Sequence, residues 1–234
     1  MKPKLPFASF AVALSLGVTL TASGQELATY GSLEAAGLGE GSALIGATVS
    51  GSQKGWGPIA AIIAQTYRYQ DGISSHATAS AVSPSVGLQY RMTDGAVQAA
   101  VGYTFVSTEV SGVFAGSENG GRSGVFGSVQ GNYWGSGENS AQFIGAYNFK
   151  SDYYWTRGRA AHRISPPVYL GGEVVVQGSQ DFTPSIMRYE VGPTIEYRVS
   201  PEFRVGASGG LRGGNNSAVN TGYARIEFLL LSRL

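Results

Sequence analysis

The residues of this chain best suited to chemistry are arginines and glutamates set in alternation with apolar residues. In "MRYEVGPTIEYRVSPEFRVGASGGLR", Met187 to Arg212, the charged Arg188, Glu190, Glu196, Arg198, Glu202, Arg204 and Arg212 all avoid the parity of Tyr189, Val191, Ile195, Val199, Val205 and Leu211. The same ladder takes in Arg157 and Arg159 of "YYWTRGRAAHRI", where Trp155 and Arg163 share their parity, Glu173 of "VYLGGEVVVQGS", and Arg225 and Glu227 near the C-terminus. Opposed Arg and Glu on neighbouring strands pair across a sheet face. Buried without partners they would be strongly destabilising.

Other constellations offer less. His76 and His162 are the two histidines, too far apart in sequence to suggest a metal site. His162 has Ser165 nearby but no evident acid to orient it, so a serine nucleophile and its base are not assembled by these residues. "GLGEG", Gly37 to Gly41, has the composition of a phosphate-binding loop but no helix behind it, and reads as a turn. No cofactor is called for. More suggestive are Trp134, Tyr153 and Trp155, which share the parity of Gln, Asn and Arg neighbours. Flat rings beside polar groups suit stacking on sugar faces, and they equally suit a girdle or plug at strand ends.

The elements that must position these residues are strands. Period-2 alternation runs through the chain, and turn signals divide it into about twelve runs near 27–37, 42–51, 55–70, 80–93, 95–111, 121–136, 138–150, 152–164, 167–180, 183–199, 202–213 and 219–231. The chain has 35 Gly, 13 Tyr and 10 Phe with only 13% charged residues, material for strands and tight turns more than for helices. A hydrophobic content of 43% rules out a disordered chain.

Residues 1–24 read as a secretory signal. Lys2 and Lys4 precede an apolar run from about Phe7 to Leu20 and the small-residue site Ala22-Ser23-Gly24. Without those two lysines, 14 basic residues face 15 acidic ones, a balance that points to no nucleic acid. Cysteine is absent, so an exported chain of this size is held by a core or by a closed sheet.

Two architectures fit the alternation: a soluble sandwich with its charges outside, or an outer-membrane barrel with its charges inside. The links favour the barrel. "SGSQKG", "MTDGA", "WGSGEN", "ISPPV" and "VSPEF" are tight, whereas "DGISSHATAS", "SGVFAGSENGG", "GSQDFT" and "RGGNNSAV" on the other side are mostly longer and more polar. Short turns at one end and long loops at the other are the outer-membrane arrangement. The expected fold is therefore an all-β, transmembrane, antiparallel up-and-down barrel of about twelve strands over residues 25–234, located in the outer membrane of a Gram-negative cell and in contact with its lipid. Tyr67, Tyr69, Tyr90, Tyr103, Tyr133, Tyr147, Tyr189 and Tyr197 are expected to form its interfacial girdles.

"SDYYWTRGRAAHRI", "VYLGGEVVVQGSQDF", "MRYEVGPTIEY", "FRVGASGGLRGG" and "TGYARIEFLL" together resemble the C-terminal half of the bacterial cellulose biosynthesis protein BcsS family. Tyr154, Trp155, Arg157, Glu173, Gly178, Asp181, Phe182, Arg188 and Gly192 occupy the matching places, over about residues 140–231 with a looser match from Ala43 to Tyr103. Gly171-Gly172 stand where the family more often has Gly-Pro, and Leu234 stands where barrels commonly end in an aromatic residue. The resemblance implies a non-catalytic outer-membrane accessory of cellulose or exopolysaccharide secretion, with a glucan chain and components of the cellulose synthase complex as partners. A small general porin or structural outer-membrane protein and a lipid-modifying barrel enzyme remain as alternatives. In either membrane reading, Val205→Arg should impair assembly into the membrane while Arg204→Gln leaves assembly intact, as cell fractionation would show; equal behaviour would reverse the two faces.

Overall fold

A computed structural model of the chain describes residues 25–51, 54–70, 75–112, 123–134, 137–179, 186–215 and 220–233. Twelve strands follow one another: β1 (Glu26–Ala36), β2 (Gly41–Ser50), β3 (Gly55–Gln70), β4 (Ser75–Arg91), β5 (Gly95–Gly112), β6 (Gly124–Tyr133), β7 (Asn139–Asn148), β8 (Tyr153–Ser165), β9 (Val168–Ser179), β10 (Ile186–Arg198), β11 (Phe203–Gly214) and β12 (Thr221–Arg233). Each pairs antiparallel with its sequence neighbours, and β12 returns to β1 from Glu26–Arg233 to Ala36–Tyr223, closing the barrel. Closure leaves no sheet edge, which allows a β-structure to cross a bilayer.

The faces are inverted relative to a soluble protein. Leu33, Leu211 and Ile226 stand 66%, 63% and 67% exposed on the outside. Glu173, Glu190, Arg212 and Arg225 are buried inside. The sandwich reading is thereby excluded, because its apolar face would be enclosed between two sheets. Both described chain ends lie at the end where β4 passes to β5 and β10 to β11; the 3-10 turn Gly37–Gly39 lies at the other.

Some expectations need correction. β4 starts at Ser75 inside the expected loop "DGISSHATAS", and His76 is therefore a strand residue paired with Gln70 and Ser111. The inward residues of this part of β4 are Ala77, Ala79 and Ala81, all buried, and alanine alternating with Ser and Thr carries too little hydropathic contrast to read as a strand. Tyr67 pairs with buried Ala79 and faces the interior, so it is no girdle residue. Tyr90, Tyr103, Tyr133, Tyr147, Tyr189 and Tyr197 face outward as expected; the Tyr69 side chain, residues 1–24, Asp181 and Phe182 lie outside the described residues.

Two prolines interrupt the ladder. Pairing between β10 and β11 passes from Val191–Leu211 to Thr194–Ser208, skipping Gly192 and Pro193. Pairing between β4 and β5 passes from Val82–Phe105 to Ser85–Gly102, skipping Ser83 and Pro84. Proline has no N–H to donate, so ladder pairs are missing there while the register on either side is kept. A Cβ on Gly192 would lie 2.1 Å from the Gly209 carbonyl oxygen, and one on Gly102 would lie 2.3 Å from that of Pro84. A Cβ on Gly131 would meet nothing within 4 Å. Gly192→Ala is expected to lower stability by about 1–3 kcal/mol through overpacking and Gly131→Ala by far less, in urea unfolding of the reconstituted barrel.

Candidate functional site

The interior of the barrel has two unlike walls. β8 to β12 and β1 contribute arginines and glutamates, because their charged residues sit at every second position and the apolar ones between them take the outside. Arg157 donates from Nη2 to Glu173 Oε2 and to Glu227 Oε2, both at 2.7 Å. Arg159 donates to Glu173 Oε2 at 2.9 Å and also pairs with Glu227. Arg225 donates to Glu173 Oε1 at 2.7 Å and from Nε to Glu34 Oε2 at 2.9 Å, and it also reaches Glu190. Arg212 donates to Glu190 Oε1 at 2.9 Å and Glu40 Oε2 at 3.1 Å and pairs with Glu34. Arg188 completes the set with Glu40 Oε1 at 3.2 Å.

This group is a single raft, with five guanidiniums (Arg157, Arg159, Arg188, Arg212, Arg225) facing five carboxylates (Glu34, Glu40, Glu173, Glu190, Glu227). Its charges balance. β8 and β12 are four steps apart in the ring, roughly 19 Å around the wall at ~4.8 Å per strand. The contacts of Arg157 and Arg159 with Glu227 therefore run as chords through the interior rather than along the sheet. Glu173 accepts from Arg225 and the Tyr223 hydroxyl on one oxygen and from both β8 arginines on the other. Such saturation is what makes a carboxylate with a fully buried side chain tolerable.

The remaining ladder residues sit elsewhere. Glu196, Arg198 and Arg204 face inward near the end that carries the chain termini, apart from the raft. Glu202 lies exposed in the β10–β11 turn, where its carboxylate accepts from the Ser200 hydroxyl at 3.1 Å. The parity of Glu202 pointed inward, but the strand has ended before it and parity has no meaning in the turn. Glu34 and Glu40 were missed. Glu34 follows Glu26, Tyr30 and Ser32 on one parity of β1 and was legible; Glu40 lies in the "GLGEG" turn, and no periodicity reports on it.

The opposite wall is neutral. Gln98 Nε2 donates to Gln130 Oε1 at 2.9 Å, and Gln142 Nε2 to Asn132 Oδ1 at 3.0 Å, forming an amide belt across β5, β6 and β7. Farther toward the long-loop end this wall is built from small residues and Phe126. Trp134 follows the belt at the end of β6, donating to the Thr93 carbonyl at 3.3 Å beneath the Arg91 guanidinium. Tyr153 and Trp155 share the inward face of β8 at the other end, with the Tyr153 hydroxyl donating to Gln177 at 2.8 Å. The three rings thus form no single cluster; they stand near the two ends of one interior. On the outer face His162 is hydrogen-bonded to Asn139 at 2.9 Å.

A protein-family profile described as cellulose biosynthesis protein BcsS matches residues 28–228. The chain belongs to the BcsS family. The match covers nearly all twelve strands, a longer span than the motifs of the C-terminal half. This BcsS-family barrel is similar in fold to the COG4313 outer membrane channel from Pseudomonas putida F1, with a TM-score of 0.62 at 9% identity over 90% of this chain and 96% of that one. It is also similar to the translocator domain of autotransporter NalP from Neisseria meningitidis, with a TM-score of 0.50 at 10% identity over 94% and 92% of the two chains. Comparison with curated proteins finds no match.

The raft makes a sharp distinction within one ladder. Glu190→Gln should destabilise the BcsS-family barrel by about 3 kcal/mol, because Arg212 and Arg225 lose a buried counter-charge. Glu202→Gln should change stability by less than about 0.5 kcal/mol. Chemical unfolding in detergent micelles followed by tryptophan fluorescence measures both, and equal effects would contradict the assignment.

Proposed function

We propose that this barrel resides in the outer membrane, with the end carrying its chain termini in the periplasm, and serves cellulose or exopolysaccharide secretion as a non-catalytic accessory. The family supports the pathway, and the barrel fold supports the location. The observation that carries the reading further is the contrast between the two interior walls. The raft that fills the middle of the charged wall is neutralised by its own pairs, so it offers little field to attract ions. The other wall offers amides, which donate to and accept from sugar hydroxyls, with rings near both ends that can stack on pyranose faces. A neutral polymer of glucose fits such a surface better than an ion or a charged solute does. Components of the cellulose synthase complex would meet the barrel at its periplasmic end, and residues 1–24 would direct its export.

Deleting the gene should abolish or strongly reduce cellulose-dye binding at the cell surface, and the protein should fractionate with the outer membrane. Trp155→Ala should leave assembly intact and weaken the block of single-barrel conductance by soluble cello-oligosaccharides by roughly two- to tenfold, the loss of one aromatic contact of ~0.5–1.5 kcal/mol. Unchanged cellulose output with conductance indifferent to polysaccharide would identify a small general porin instead.

A further inference from the structure

The interior charges near the chain termini do not balance. Arg198 on β10 and Arg204 on β11 are directly opposed in register and share the inward face. Like charges placed directly opposite destabilise a strand pair. Glu196 is the carboxylate that both approach: it accepts from Arg198 Nε at 2.8 Å, while Arg204 Nη1 stays 3.9 Å from the same oxygen, beyond hydrogen-bond distance. Glu26, on the inward parity of β1 at this end, is already paired with Arg91 at 2.9 Å. Arg198 Nη2 is buried and has no hydrogen-bond partner. The Arg198 guanidinium lies 3.7 Å from the centre of the Tyr169 ring, which fixes its plane. Across Tyr169 on the far side is Arg163 of β8, paired in register with that tyrosine and without a carboxylate partner among the described residues.

The raft balances five guanidiniums with five carboxylates, even though Arg159 Nε within it is buried without a hydrogen-bond partner. Here Arg198 and Arg204 share one carboxylate, and Arg163, one strand beyond Tyr169, has none among the described residues, while an unspent Arg198 donor is held flat by an aromatic ring. Local conflict of this kind, away from the balanced network, is the signature of a site that awaits a ligand. We propose that Arg163, Arg198 and Arg204 form an oxyanion-binding site at the terminal end of the interior, taking a carboxylate or phosphate group. The planar forks of arginine suit such groups because two parallel N–H donors match two oxygens. Tyr169 orients Arg198, and Glu196 keeps the cluster from repelling itself apart before the anion arrives. The site is independent of the glucan reading, since the amide belt lies on the other wall.

The test uses the full barrel purified in zwitterionic detergent, with thermal unfolding followed by tryptophan fluorescence. Inorganic phosphate should raise Tm saturably over chloride at matched ionic strength, and acetate in a parallel titration distinguishes a carboxylate from a phosphate preference. Arg204→Gln should unfold at an equal or higher temperature than wild type without phosphate, because a like-charge opposition is gone, yet bind phosphate roughly tenfold more weakly or worse. Arg163→Gln gives a second measure with the same expected loss of affinity. Arg68→Gln, exposed at the far end of β3, should keep the full response. Identical melting in phosphate and chloride, or an Arg204→Gln barrel that is less stable in the absence of the anion, would overturn the site and make Arg204 a structural ion-pair residue.

Discussion

Glu173 and Glu190 are carboxylates with almost no access to water, and the arrangement of the charged half of the barrel follows from the need to satisfy them. A carboxylate removed from water loses several kcal/mol of solvation, which only close, well-directed counter-charges can offset. Here those counter-charges come from β8, β11 and β12 rather than from immediate neighbours alone. Slipping any of these strands by one residue would send its arginines or glutamates to the apolar outer face. The raft therefore acts on register: it makes one pairing of six strands far better than the alternatives.

The other half of the ring is organised by size. Ala77, Ala79, Ala81 and Ala96 face inward, together with Gly, Ser and amide residues, and they leave the centre to the long side chains arriving from the opposite wall. Small residues on one wall and chord-forming arginines on the other are two parts of one solution. Bulk on both walls would overfill a barrel of this circumference, and small residues on both would leave the charges without reach. The unbalanced cluster near the termini stands below this division, where the raft has already ended.

Much of this was legible in the sequence because a closed barrel keeps the simplest of patterns. The parity of Arg188, Glu190, Arg212, Arg225 and Glu227 read correctly as inward, and the count of twelve strands followed from turns made of Gly, Pro, Asp and Ser. What escaped has local reasons. Glu202 carries the right parity just past the strand end, and Glu40 has no parity at all yet joins the raft through the turn. The start of β4 was hidden by Ala-rich alternation with little hydropathic contrast. Chord contacts such as Arg157 to Glu227 belong to no adjacent strand pair, so no pattern along the chain can announce them.

The two proline lapses lie between β4 and β5 and between β10 and β11, six steps apart in a ring of twelve. They are diametrically opposed. Mechanically the barrel is then a hoop with two soft seams, and its easiest deformation is an ovalisation that folds one six-stranded half toward the other. The seams are not equally braced. Arg157 and Arg159 on one half grip Glu227 on the other, and Arg212 grips Glu190, all spanning the β10–β11 seam. Across the opposite lapse the described side-chain bond is the one between the Ser83 and Thr104 hydroxyls, at 3.0 Å. The cross-section is strutted on one side and compliant on the other, so any change in its width is taken up where the wall is neutral and its side chains are small.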